Sequence, residues 1–310
     1  MMSYDLFFCV PEGHARPAPE DVQAYFDARP LFDVGNREAL YRNEDTRTLF
    51  RFTWGDEASD EARAIKTLRD AQRGHALSLL DVRFELHYAR PRVYALEAEP
   101  ELAAFASHFG LAVFDPQARG MGTGPYSREG FLRGWTHGNR AALAAAARSA
   151  PAPWVTLPAE VRERHWRWNL GRAELERALG PGVAVPLIAY VRHDARVCAA
   201  VIWGDASNIA LPEVELILLA RQAIAPRRYF LFRRPSAALI EASALAPHRT
   251  LGEEGSCAAG TYWLLRAKSP PRSLVRFFNA HPPFRAVPEG LPAESVFEAE
   301  EVLAVAPRAR

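Results

Sequence analysis

The segment Asp115–Asn139, reading DPQARGMGTGPYSREGFLRGWTHGN, gathers many of the residue types in this chain that bind ligands. Gly120, Gly122, Gly124, Gly130, Gly134 and Gly138 stand there among Tyr126, Arg133, Trp135, His137 and Asn139. Glycine at this density lets backbone approach another group closely or turn at positive φ. Gly120, Gly122 and Gly124 precede a predicted helix, and amides at a helix N-terminus can hold an anion. The spacing matches neither phosphate-binding pattern. A P-loop ends in G-K-[ST], and a dinucleotide fingerprint places G-x-G-x-x-G directly after a strand. Pro125 also removes an amide where one would serve. Two readings stay open: a tight connection that orders Tyr126 against a sheet, or a loop that binds an anion or a peptide backbone.

Helical spacing puts Phe131, Trp135 and Gly138 on one stripe, with Gly134 beside it. That stripe reads as core packing or as the wall of a cleft in which His137 and Asn139 make polar contacts. The run HWRWN, His165–Asn169, is the second unusual patch. On a helix Trp166 and Trp168 point about 200° apart, so both are not expected to face one core. One of them is expected to meet another domain or a ligand, because tryptophan joins a large apolar area to a polar handle.

Other chemistries lack a pattern. No H-x-x-x-H, H-E-x-x-H or C-x-x-C occurs, so His87, His137 and His165 could meet at a metal only through tertiary folding. No G-x-S-x-G occurs either. Cys257, in EEGSCAAG, is the best thiol nucleophile and has no obvious base nearby in sequence. The sequence therefore predicts no cofactor, no metal and no catalytic residue. The candidate peptide-binding residues are Tyr126, Arg133, Trp135, His137, Asn139, Trp166 and Trp168.

The composition bounds what these residues can belong to. At 310 residues the chain suffices for two ordinary domains. Its net charge of +1 argues against a dedicated nucleic-acid binder. No apolar run reaches the roughly 18 residues of a membrane span, and the N-terminus lacks a basic segment and a long apolar core of a signal peptide. Cys9, Cys198 and Cys257 read as reduced structural thiols. A cytoplasmic location is expected.

The elements that must position the candidates are legible in outline. Strands are predicted at Tyr4–Val10, Phe32–Asn36 and Leu77–Arg90, with a hairpin of Glu38–Arg42 and Thr46–Trp54 around Asn43–Asp45. Helices are predicted at Glu20–Ala28, Glu99–Phe109 and Arg128–Arg148, the last capped by Ser127. Val93–Glu97 reads as a continuation of the sheet, and Leu111–Phe114 as a short strand. Glu57–Arg73 reads as a charged surface helix or loop. Ser149–Pro153 is the best linker. A helix from Pro158 to Leu179 follows, stopped by Gly180. Strands are then expected at Val183–Arg192, Arg196–Trp203, Val214–Gln222, Arg228–Arg233, Thr261–Arg266 and within Ser295–Val305. Helices are expected at Pro235–Ala244 and Ser273–Phe278. The fold class is α+β, in two domains with mainly antiparallel, helix-decorated sheets: residues 1–149, a linker 150–157, and residues 158–310. Duplication is one reading of that parallel, although no matching residue pattern links the halves.

SYDLFF (Ser3–Phe8), Ala24–Phe26, Arg29–Pro30, ALYRNEDT (Ala39–Thr46), LEAEPEL (Leu96–Leu102), DPQ (Asp115–Gln117) and GMGTGPYSREGFLRGW (Gly120–Trp135) together resemble a group of uncharacterised, mostly myxobacterial proteins. The chain also resembles, without a shared motif, the paired peptide-binding maturation proteins of crocagin-type ribosomal peptide pathways. That resemblance implies an accessory protein that recognises a precursor peptide in natural-product biosynthesis. The residues themselves leave three functions open: a peptide- or protein-binding module, an immunity-type protein that binds a cognate toxin, or an enzyme acting on a peptide through His137 or Cys257.

Overall fold

The computed structural model describes residues 2–55, 77–117, 119–149, 154–225, 227–228, 232–233, 235–284 and 288–304. The expected surface segment Glu57–Arg73 and the linker residues Ala150–Pro153 lie outside them. The class is α+β, as the sequence predicts. Two compact units form, Met1–Trp154 with Phe297–Arg310, and Val155–Val296. The last residues thus belong with the first unit, whereas a linear division assigns them to the second.

The first unit is built on β1 (Ser3–Pro11), α1 (Pro19–Asp27), β2 (Phe32–Gly35), β3 (Glu38–Arg42), β4 (Leu49–Trp54), β5 (Leu77–His87), α2 (Val93–His108), β6 (Ala112–Phe114), β7 (Thr123–Pro125) and α3 (Arg128–Ser149). The strands form one seven-stranded sheet in the order β2-β3-β4-β5-β1-β6-β7, with antiparallel neighbours throughout. Period-two alternation gives the sheet an aromatic face, and the three helices bury it. Phe26 of α1 packs against Phe52, Phe105 of α2 meets Phe8, and Phe131 of α3 meets Phe84 and Tyr4. The opposite face carries a cross-strand ladder of charge. Arg83 pairs with Asp5 at 2.6 Å, and Arg51 with Glu85 at 2.7 Å and Glu38 at 3.5 Å.

Val93–Glu97 does not continue the sheet; it forms the first turns of α2, and Pro100 lies inside that helix. Val93, Tyr94, Ala95, Glu97, Ala98 and Glu99 are all buried, so this stretch shows no amphipathic period to mark a helix. Buried Glu97 explains the choice. Its Oε1 accepts hydrogen bonds from Tyr41, Asn43 and Thr46, and its Oε2 from Thr48, at 2.8–2.9 Å. The hairpin β3–β4 therefore closes over a helix-borne carboxylate, which only a helical backbone presents there.

The second unit contains β8 (Val155–Leu157), α4 (Ala159–Leu179), β9 (Ala189–His193), β10 (Arg196–Gly204), β11 (Ile209–Pro212), β12 (Leu216–Arg221), β13 (Arg227–Arg228), β14 (Phe232–Arg233), β15 (Ser236–Glu241), β16 (Glu253–Cys257), β17 (Gly260–Leu265), α5 (Arg272–Ala280) and β18 (Glu289–Leu291). A five-stranded sheet runs β15-β12-β10-β9-β18, and a three-stranded sheet β11-β17-β16. Strands β10 and β12 are parallel. The chain between them passes through β11 in the smaller sheet, which is how so short a connection reverses direction. Trp168, Trp203, Trp263 and Phe278 lie in one buried cluster.

Two further expectations are corrected. Ser236–Glu241 is a strand, pairing antiparallel with β12 before a 3-10 helix over Ala242–Leu251. Its alanines favour a helix locally, and pairing along the whole of β12 overrides them. Of Val183–Arg192 only the end is strand, since Pro186 interrupts it and β9 begins at Ala189. The two sheets differ in strand order and direction, so the topology gives no duplicated architecture. Among the described residues no helix is long and apolar enough to cross a membrane.

Candidate functional site

The glycine segment closes around a carboxylate. Asp115, 3% exposed, accepts from the Tyr4 hydroxyl at 2.5 Å and from the amides of Met121 at 2.7 Å and Gln117 at 2.9 Å. Its own amide donates to the Gly122 carbonyl at 2.8 Å, tying the loop shut. Burial raises the Tyr4 pKa far above the ordinary phenol value, and Asp115 adds to it, so the hydroxyl keeps its proton and donates. Gly120 sits where a Cβ would strike the Asp115 carboxylate, and a Cβ at Gly134 would fall 2.7 Å from the Tyr4 hydroxyl and 2.8 Å from the Gly120 Cα. The glycines allow close packing of a loop and a helix. The G-M-G-T-G amides do not open to an anion site here: the Met121 amide is spent on Asp115.

The candidates take different positions. Trp135 and Asn139 are each 1% exposed, and Asn139 bonds the backbone of Arg90 through both ends of its amide. Half-buried Tyr126 directs its hydroxyl at Glu99, 3.3 Å away; burial first, then Glu99, raises its pKa. Exposed Arg133 donates to the carbonyls of Arg119 and Gly120 and pins the loop. His137 is exposed on α3. These five belong to the first unit, and Trp166 and Trp168 to the second. Both indoles are buried, at 8% and 4%. Trp168 packs on Tyr262 and donates to the Pro186 carbonyl. Within the first unit the five divide into buried Trp135 and Asn139, half-buried Tyr126, and exposed Arg133 and His137. Of the proposed nucleophiles, Cys257 is half-buried at the end of β16. No group of three metal-ligating side chains assembles among the described residues.

A site does form in the second unit, and its walls are wholly described residues. A groove of about 340 Å³ crosses the sheet β11-β17-β16, lined by Leu211, Arg249, Glu253, Glu254 and Trp263 among others. A compartment of about 200 Å³ adjoins it, bounded by Arg164, His165, Trp168, Ile188 and Gly260. Pro212, Glu213 and Thr261 line both. No protein-family model, no curated protein and no solved structure matches the chain.

Helix α4 lines the compartment with Arg164, His165 and Trp168. Arg162, His165 and Asn169 fall on one helical face, at i, i+3 and i+7, and all are buried; of these only His165 belongs to that lining. Asn169 bonds the Ile188 backbone in both directions at 2.9 Å. His165 Nδ1 lies 3.4 Å from the Tyr190 hydroxyl. Burial, then Arg164 and Arg162, hold the imidazole pKa down to about 4, so it is neutral at pH 7. The sequence reading singled out HWRWN for its tryptophans and passed over this polar stripe. The spacing of three buried-type polar residues on one face is the pattern that would have revealed it.

Proposed function

We propose that this protein is a non-enzymatic binder of an extended peptide, held in the groove over β11, β17 and β16. The adjacency of the two compartments through Pro212, Glu213 and Thr261 carries this reading, because two joined compartments offer successive seats for the residues of a chain. The outer edge of β16 supports it: among the described residues no strand pairs there, which leaves main-chain groups for strand addition. The resemblance to precursor-guiding maturation proteins favours a ribosomal precursor peptide as the partner. No disulfide joins Cys9, Cys198 and Cys257, which fits a reducing compartment such as the cytoplasm.

Isothermal titration of the full chain against the short peptides encoded beside its gene tests this. Micromolar binding with a negative heat-capacity change is expected. Thr261→Trp fills the junction of the compartments and is expected to weaken binding at least about tenfold while the fold persists. Full affinity in Thr261→Trp moves the peptide out of the groove. Absence of heat with every peptide favours the immunity reading, and consumption of a peptide favours an enzyme.

A further inference from the structure

We propose that the compartment beside His165 is a carboxylate-binding subsite, which on the peptide reading above seats a carboxylate of the bound peptide. The charge of α4 points to it. Arg162 is 3% exposed and donates to the carbonyls of Val296 and Ala293 and to the Tyr190 hydroxyl. Among the described residues no carboxylate pairs with Arg162. Arg164 lines the compartment, and its Nε–H is buried without an acceptor. Arg162, a buried cation without a counter-ion on the face of α4 that carries His165, does not line the compartment but adds positive field that favours an anion entering it. Burial is the main cause of the depressed His165 pKa, and Arg164 and then Arg162 add to it through that field.

Donors stand ready for such an anion. The Arg164 guanidinium has an Nε–H without an acceptor, Thr261 stands on the wall, and His165, whose Nδ1 is engaged by Tyr190, stands beside them. Trp168, Ile188 and Ala259 cover the remainder with apolar surface, which strengthens charge-assisted bonds by excluding water.

Glu213 already shows how a carboxylate sits. Its Oε2 lies 3.1 Å from an Arg164 terminal nitrogen, although the Glu213 side chain is 71% exposed. Exposed pairs of this kind contribute little, so an incoming carboxylate can replace Glu213 and let it swing to solvent. Glu213 is thus both stand-in and competitor, a role that separates this site from a plain basic patch.

The test follows the His165 ring by NMR in the ¹⁵N-histidine-labelled full chain, assigned with His165→Gln. The probes are N-acetylglycine, N-acetylglycinamide, and N-acetylaspartate amidated at its α-carboxyl. A saturable shift with a carboxylate probe and none with the amide is expected. A response to N-acetylglycine identifies a chain-terminal carboxylate as the source, and one to the aspartate probe an acidic side chain. Arg164→Met is expected to weaken the response at least tenfold, and Glu213→Gln to strengthen it about five-fold. Silence with both carboxylates, an equal response to the amide, or an unaltered response in Arg164→Met overturns the subsite. These probes are too small to span the groove to β16. Their silence leaves the peptide titration standing, whereas a carboxylate response without peptide binding overturns the peptide reading alone.

Discussion

His165 makes a prediction at the scale of one residue. Its pKa is about 4 in the folded protein and near 6.5 when unfolded. Below pH 6.5 the unfolded chain therefore binds a proton that the folded chain refuses, and stability declines as pH falls. The contribution is complete above pH 6.5, is lost progressively down to pH 4, and levels below it. A difference of that size corresponds to roughly 3 kcal/mol for a side chain this buried. Urea unfolding of wild type and His165→Gln at pH 7 and pH 4.5 checks it. The variant is expected to lose much less stability across that interval, and an identical loss would show that other groups carry the acid sensitivity.

Glycine on helix α3 is a matter of elements rather than residues. Gly134 and Gly138 lie where the helix presses on Tyr4, Gly120 and Tyr88, and a Cβ at Gly138 would overlap the Tyr88 ring and hydroxyl. Gly171, in the middle of α4, has nothing within 4 Å of its Cβ position. Alanine is worth about 1 kcal/mol over glycine in a helix interior. Gly171→Ala is therefore expected to stabilise by about 0.5–1 kcal/mol. Gly138→Ala, gaining the same propensity but overpacking against the half-buried Tyr88 ring, is expected to destabilise by about 1–2 kcal/mol. Thermal melts of the two variants decide. Stabilisation by both would mean that α3 slides to accept the methyl group.

At the scale of the whole molecule the chain's end completes its beginning. Glu298 accepts from the amides of Arg92 at 2.9 Å and Val93 at 3.4 Å, at the start of α2, where helix amides have no internal partner. Glu301, on the short helix Ala299–Leu303, holds Arg140 of α3 through both carboxylate oxygens at 2.6 and 3.0 Å. Removing residues 297–310 is expected to speed hydrogen exchange of the first-turn amides of α2 and lower the first unit's melting temperature. Glu298→Ala alone is expected to cost about 1 kcal/mol, the usual loss for a removed helix cap. Unchanged exchange at residues 93–96 in both variants would show that α2 stands without this cap.

Local pattern in the sequence settled much of this protein. Alternation placed the buried faces of β4 and β5, the Ser127 side chain caps α3 by accepting from the Gly130 amide at 3.2 Å, and Gly180 ends α4 at positive φ. Each rests on chemistry within a few residues, so a linear string contains it. Tertiary structure decided the rest. Val93–Glu97 became helical because side chains of a hairpin some fifty residues earlier converge on Glu97. The glycine segment became a packed turn because Asp115 meets Tyr4, 111 residues away. The compartment joins α4 to Glu213 and to Thr261 of β17, and no local spacing brings an arginine, a glutamate and a threonine from such separate segments to one wall. Burial of a charge or a close backbone approach is a property of such long-range assemblies, and it is these that made the candidate site.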